Sequence, residues 1–392
     1  MQSPFRKGKS MRRFYLPTTI VTGEGCFAEL GKQAAGYGTR AVLVCGARSL
    51  RASGRLEQAL ADLREAGLTT TVYDAVSGEP TLDIVQEGLD RARAEDAQMI
   101  IGIGGGSAMD TAKAIAGLYT HPGTVYKYFD RQRQIEGGGL PWIAVPTTAG
   151  TGAEVTKNAV LIDPSHDLKA SLRHDAWFAQ AALVDPELTL SAPPRVTAAS
   201  GSDALTQAIE AYTSIGAMPV TDALAIQAIA RIGRSLERAY HDGQDILARA
   251  DMLYGSMLAG MALANARLGG VHGMAHPLGY RYHIPHGLVC GLLLPYTMAY
   301  NIDYATDKYA HVARLLGIDT RGIDTHVAAE KAVERARELV IEVGIPMHLG
   351  EFGVKREDFS TIVEESLPSG SLKHNPRPLA ARDIEAILAA AL

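Results

Sequence analysis

Cysteine is scarce: Cys26, Cys45 and Cys290 are the only three in 392 residues. Each sits among apolar neighbours, which reads as reduced core thiols in a cytoplasmic protein and excludes a disulfide framework. Long apolar runs are missing too. The most apolar stretch, residues 288–294, is far below the roughly 18 residues that a membrane-spanning helix needs. Basic excess is also absent, since the formal net charge is −5, and no Lys/Arg cluster is long enough to suggest nucleic acid. The N-terminal group Arg6, Lys7, Lys9, Arg12 and Arg13 is followed by no apolar segment, so it is not a signal peptide. It reads as a disordered tail, with Met11 a second candidate start. No internal repeat or low-complexity tract appears.

What remains is ordinary globular composition, 47% hydrophobic and 21% charged, in a chain long enough for two domains. The first half alternates short apolar runs with helical patterns. Strands are predicted at 41–45, 70–73, 99–103 and 142–145, and helices over 55–66, 82–94 and 108–117. That alternation implies a mostly parallel sheet covered by helices, with ligands beyond the carboxyl ends of its strands. After Pro193-Pro194 the periodicity is almost wholly helical: 196–213, 221–240, 246–266, 288–301, 325–343 and 381–392. The expectation is an α/β dinucleotide-binding domain over 1–194 and an all-helical metal and substrate domain over 195–392. The spacing of Met252, Met257 and Met261 reads as core.

Two loops at the strand ends carry binding chemistry. Gly102-Ile103-Gly104-Gly105-Gly106-Ser107 joins a strand to a helix, where bare backbone and free N–H groups suit phosphate. Asp110 and Lys113 follow. The next strand ends in Pro146-Thr147-Thr148-Ala149-Gly150-Thr151-Gly152, with three hydroxyls. Together the loops suggest a dinucleotide, its pyrophosphate on the first and its nicotinamide side near the second.

The densest chemistry lies in residues 265–287, with His272, His276 and His286. His272 and His276 are four apart, so on a helix both rings leave one face. His286 follows Ile284-Pro285, where one element ends and another begins. Asp203 and Gln207 share a helix face in the same way. A carboxylate there is costly to bury without a metal or other cation, so Asp203, His272 and His286 form a candidate O,N,N set with open positions for substrate. The competing reading of Ser202 or Asp203 is a helix N-cap.

The stretches GGGSAMDTAKAIA (104–116), PTTAGTGAEVTKNAVLID (146–163), DALTQAIEAYTS (203–214), HGMAHPLGYRYHIPHG (272–287) and NPR (375–377) resemble the iron-containing, or group III, alcohol dehydrogenases. Lactaldehyde reductase-like members are nearest in layout. The resemblance implies a dehydroquinate-synthase-like fold with the active site between a Rossmann-type and a helical domain. It puts Asp203, His272 and His286 at metal-ligand positions and makes His276 a proton relay. It puts the pyrophosphate at Gly104, Gly105, Gly106 and Ser107, with Thr147, Thr148, Thr151 and Lys169 lining the rest of the cofactor. The expected enzyme is an NAD(P)-dependent alcohol dehydrogenase or aldehyde reductase acting on a small molecule, as a homo-oligomer such as a dimer. A dehydroquinate-synthase-like cyclase or lyase is the alternative of another class, though its phosphate-binding basic residues are not evident.

Gln207 departs from the family's Asp-x-x-x-His pattern. Two expectations follow. Either Asp203, Gln207, His272 and His286 hold Fe²⁺ or Zn²⁺ loosely, because an amide oxygen is a weaker donor than imidazole, or the histidines polarise the carbonyl without metal, as in maleylacetate reductases. At the cofactor, Gly46 stands where NAD-preferring members carry Asp, and Arg48 and Arg51 follow. That predicts NADP(H), with room for a 2′-phosphate. Lys157, Arg267 and Arg281 are candidate clamps for an anionic substrate. The stronger expectation is that they pair with carboxylates such as Glu154 or Glu210.

Overall fold

The structure, a computed structural model, describes residues 11–166 and 168–392. Arg6, Lys7 and Lys9 of the basic group, and most of the expected disordered tail, lie outside the described residues. The strands are β1 (Thr19–Thr22), β2 (Arg40–Gly46), β3 (Thr69–Val76), β4 (Met99–Gly104), β5 (Trp142–Pro146), β6 (Asn158–Asp163), β7 (Leu168–Arg173) and β8 (Ala181–Val184). The helices of this half are α1 (Leu30–Ala34), α2 (Ser49–Ala52), α3 (Arg55–Glu65), α4 (Leu82–Ala94), α5 (Gly106–Leu118) and α6 (Val125–Phe129).

Six strands form a parallel sheet in the order β1-β8-β5-β4-β2-β3, while β6 and β7 pair as a separate antiparallel hairpin. Side chains alternate between the sheet's faces, as strand geometry requires. Leu43, Ile101, Ile103, Ile143 and Val145 pack on the face covered by α1 and α3. Val42, Val44, Ile100 and Ala144 pack with α4 and α5. Helix α4 shows the local rule: Leu82, Val85, Leu89 and Ala92 make its buried stripe, and Thr81 Oγ1 caps it by accepting the Ile84 N–H at 3.3 Å. Each fully buried Leu or Val of this kind contributes about 1.5–3 kcal/mol.

From β2 the chain steps to β3 on one side, and from β4 to β5 on the other. The strand order therefore reverses between β2 and β4, where Cys45 is aligned with Ile103. The crevice at such a reversal is where doubly wound sheets take their ligands.

The second half holds α7 (Pro194–Thr213), α8 (Pro219–His241), α9 (Ile246–Ala266), α10 (Gly270–Arg281), α11 (His286–Leu315), α12 (Thr325–Glu342), α13 (Phe359–Ser366) and α14 (Ala381–Ala390). Helix α9 reaches a mean hydropathy of 1.2, enough by length and composition to cross a membrane. Packing accounts for that apolarity: Met252 lies in the helical core, while Leu253, Met257 and Met261 enter the core on the sheet's face. Helix α11 runs well past the expected end at 301 and breaks at Ala305, whose φ and ψ are −142° and 31°.

Candidate active site

Gly46 and Gly104 end the neighbouring strands β2 and β4, at the reversal. Gly104 has φ +154°, and a Cβ on it would lie 2.7 Å from that of Ala108, so this turn needs glycine. Gly105 precedes α5 with no side-chain cap, which leaves the helix's first N–H groups open to an anion. The second loop packs directly on the first. A Cβ on Gly105 would meet Thr148 Oγ1 at 3.2 Å, and one on Gly106 would meet Thr151 Cγ2 at 2.8 Å. The Thr147 N–H donates to the Gly104 carbonyl at 2.9 Å.

Asp110 stands behind this turn. Its Oδ2 accepts the Val160 N–H at 2.9 Å, and its Oδ1 is 3.4 Å from Lys113 Nζ. Lys113 is wholly buried and also donates to Thr156 Oγ1 and the Asn158 carbonyl at 3.1 and 2.8 Å. These contacts fasten the β6–β7 hairpin to α5. The hairpin in turn brings Lys169, paired with Glu79 at 2.5 Å, towards the histidines. Lys169 acts electrostatically on Asp110 to one side and on His276 and His286 to the other, and its backbone bonds the His276 ring.

On the helical side, α10 and α11 are joined through His283, which takes φ +53°, so the chain doubles back. His286 thereby comes beside His272 and His276, with ring centroids 5.5 and 5.7 Å away. Asp203 lies in the middle of α7, not at its start, so the N-cap reading of Ser202 and Asp203 is corrected: the helix already begins at Pro194. Asp203 Oδ1 is 3.2 Å from His272 Nε2 and 3.9 Å from His286 Nε2. Gln207 Nε2 donates to Asp203 Oδ2 at 2.9 Å, while its Oε1 is buried without a partner among the described residues. One residue was missed by sequence reasoning. Cys290, taken for a core thiol, has its Sγ 3.6 Å from His286 Nε2 and 3.8 Å from His272 Nε2. Its signal was the i, i+4 spacing from His286.

Glu210 completes the set from behind. Its Oε2 is 2.7 Å from His272 Nδ1, and its Oε1 accepts the Val271 N–H at 2.6 Å. Asn375 of the NPR stretch accepts the neighbouring Gly270 N–H at 3.0 Å, so both residues seat the start of α10. A carboxylate can only accept, so His272 Nδ1 donates to Glu210, and Nε2 meets Asp203 Oδ1 either through its own proton in the charged ring or, in the neutral ring, through a cation. Two electron-rich atoms at 3.2 Å need a proton or a cation between them. The donor set therefore fits a divalent metal, with Glu210 as the outer carboxylate that orients a ligating histidine.

Among the protein's own charges, a proton on His272 fills that role. Burial alone would raise the Asp203 carboxyl, but the His272 hydrogen bond and the nearby histidine charges pull it down to about 2. Burial works against charging His272, yet Cys290, Glu210 and Asp203 lift it well above the ordinary value. His286 falls to about 4 and His276 well below its usual range, through burial first. Burial also pushes the Cys290 thiol up to about 12.

Two of the three candidate anion clamps pair with carboxylates, though not the ones anticipated. Lys157 pairs with Asp175 and Arg281 with Glu365. Glu210 serves His272, and Glu154 is buried near Lys113. Arg267 is exposed just after α9.

A dinucleotide-type sheet edge facing a cation site marks a nicotinamide-dependent oxidoreductase of alcohols or aldehydes. Two family models span nearly the whole chain: iron-containing alcohol dehydrogenase over residues 17–186, and the C-terminal region of the Fe-containing alcohol dehydrogenase family over 197–392. The chain belongs to the iron-containing alcohol dehydrogenase family and is an NAD(P)-dependent, metal-binding enzyme acting on CH–OH groups. It is 40% identical to long-chain-alcohol dehydrogenase 1 of Geobacillus thermodenitrificans, over 97% of each chain. It is 37% identical to lactaldehyde reductase of Escherichia coli, over 95% of this chain and 97% of that one. A crystal structure of 1,3-propanediol oxidoreductase superposes with a TM-score of 0.93 at 38% identity, covering 98% of this chain and 100% of that one.

Proposed function

We propose that this enzyme interconverts a short aldehyde and its alcohol with a preference for NADP(H), assisted by Fe²⁺ or Zn²⁺ on Asp203, His272 and His286. The facing of Asp203 Oδ1 and His272 Nε2 at 3.2 Å, with Glu210 holding the far nitrogen, carries the reading. When bound, the metal polarises the substrate oxygen and the nicotinamide exchanges the hydride. The chain's own residues do the rest. Gly104, Gly105, Gly106 and Ser107 present bare backbone to the pyrophosphate, and Thr147, Thr148, Thr151 and Lys169 border the nicotinamide side. Burial keeps His276 neutral, so it relays the alcohol proton between the site and solvent rather than storing it.

Support for NADP(H) comes from Gly46, around which the nearest atoms to an added Cβ are 3.8 Å away. Arg48 and Arg51 follow it. Arg51 now meets Asp74 and Glu57 at 3.2 and 3.6 Å on the exposed surface, and such pairs are weak enough to yield to a phosphate. Because Lys157 and Arg281 are already paired, a neutral aldehyde is the better substrate class. We place the domain boundary between 194 and 195, and the working form as a cytoplasmic homodimer.

Short aldehydes offered with NADPH and NADH, to protein reloaded with Fe²⁺ or Zn²⁺, test this reading. Cofactor oxidation favouring NADPH is expected. His286→Ala should lower kcat by about a hundredfold or more with NADPH binding little changed. Full turnover in that variant would remove His286 from the site.

A further inference from the structure

Cys290 lies one turn along α11 from His286, within a helix pairing that leaves it little freedom. A Cβ on Gly287 would strike the Ala199 carbonyl oxygen at 2.1 Å, and one on Gly291 would sit 2.8 Å from Ser202 Cβ. These two glycines let α11 lie backbone-close on α7. Thr206 Oγ1 bridges the pair, donating to the Cys290 carbonyl at 3.3 Å. The result turns Cys290 Sγ away from a purely apolar setting and towards Asp203, His272 and His286. The four donor atoms all lie within 4.8 Å of one another.

Four of the six donor–donor spacings lie close to those of a coordination shell. An ion with ligands about 2.0–2.3 Å from its centre in tetrahedral array separates them by roughly 3.3–3.8 Å. The distances here are 3.2 Å for Asp203–His272, 3.6 Å for Cys290–His286, 3.8 Å for Cys290–His272 and 3.9 Å for Asp203–His286. Gln207 is differently engaged. One of its amide N–H groups holds Asp203 Oδ2 at 2.9 Å, which leaves Oδ1 facing the histidines, while its Oε1, the one amide atom able to ligate a cation, is buried with no partner among the described residues.

We propose that the Cys290 thiolate is the fourth protein donor to the metal, that Gln207 is a positioning residue for Asp203, and that the sulfur makes the site select Zn²⁺ over Fe²⁺. The proposal rests on the metal-assisted reading above. Binding forms one metal–sulfur bond and releases the thiol proton to solvent, with no change of oxidation state. Two anionic donors then neutralise the divalent ion, and thiolate is the softer ligand that favours zinc.

Apo protein reloaded with Co²⁺ reads the ligand directly. A near-ultraviolet thiolate-to-cobalt charge-transfer band is expected in the wild type and in Cys26→Ser, and its loss in Cys290→Ser. Metal affinity in that variant should fall at least about tenfold. Should Cys290→Ser fail to fold, X-ray absorption at the zinc edge of the wild-type protein answers the same question, with a sulfur shell expected at about 2.3 Å. A shell of nitrogen and oxygen only, or a band that survives Cys290→Ser, overturns the proposal. Aldehyde turnover is scored separately. A sulfur shell in protein that reduces no aldehyde supports the thiolate centre and removes the reductase reading, whereas turnover with a sulfur-free shell overturns Cys290 alone.

Discussion

Glu210 Oε2 stands 2.7 Å from His272 Nδ1, while its partner oxygen accepts the Val271 N–H at 2.6 Å. One buried carboxylate thus seats the first turn of α10 and sets the tautomer of the histidine that α10 carries. Glu210→Gln keeps the size and removes the charge. Outer carboxylates of this kind support metal affinity by about 10–100-fold. Competition with a chelator should show a loss in that range, and an unchanged metal Kd would reduce Glu210 to a helix-seating role.

The cofactor preference turns on one small residue. Gly46→Asp fills the open space at the end of β2 with a negative charge that repels a 2′-phosphate and can bond a ribose hydroxyl. The ratio of kcat/KM for NADPH over NADH should drop by about tenfold or more, equivalent to about 1.4 kcal/mol. A ratio that stays put would mean that the adenosine ribose lies elsewhere.

Glu154 is 3% exposed, and its Oε1 has no partner among the described residues. Burial is the main cause raising its carboxyl from 4.5 to about 7, only partly offset by a backbone hydrogen bond and Lys113. The folded state therefore holds this proton more tightly than the unfolded chain does. The associated stability is fully present below pH 4.5 and is lost as pH rises through about 7. The swing is on the order of 3 kcal/mol. Glu154→Gln should flatten that part of the profile, so thermal midpoints of wild type and variant should diverge with rising pH. Parallel profiles would show that Glu154 ionises freely.

The close approach of α7 and α11 offers a stability test. With the Ala199 carbonyl 2.1 Å from a Cβ at Gly287, Gly287→Ala must push α11 outward. Overpacking of this sort costs about 1–3 kcal/mol, and His286 and Cys290 move with the helix. A lower Tm together with weakened metal binding is expected. An unshifted Tm would mean that the two helices are not in contact at this point.

Much of the architecture was legible because it depends on local rules. Helix α4 falls at 82–94 as read, because its apolar stripe and Thr81 cap are encoded within fourteen consecutive residues. The glycine turn after β4 and the break between α10 and α11 were likewise written locally, in glycines and in Ile284-Pro285. Less legible were β1 and β8, four residues each, and the β6–β7 hairpin. Strands that short show too little periodicity to separate from loop, and their pairing is decided by neighbours distant in sequence.

By itself, then, the sequence determined the two-part architecture, the glycine turn after β4, and the sharing of one helix face by His272 with His276 and by Asp203 with Gln207, since residue type and spacing suffice for each. Tertiary structure alone decided the partners. Glu210 and His272 are 62 residues apart, Arg281 and Glu365 are 84 apart, and Cys290 meets His272 across 18. Spacing along a chain shows which side chains share a face, but which face meets which depends on how helices pack. The backbone contact of α11 on α7 at Gly287 and Gly291 turned a cysteine with apolar neighbours in sequence into a neighbour of Asp203, His272 and His286.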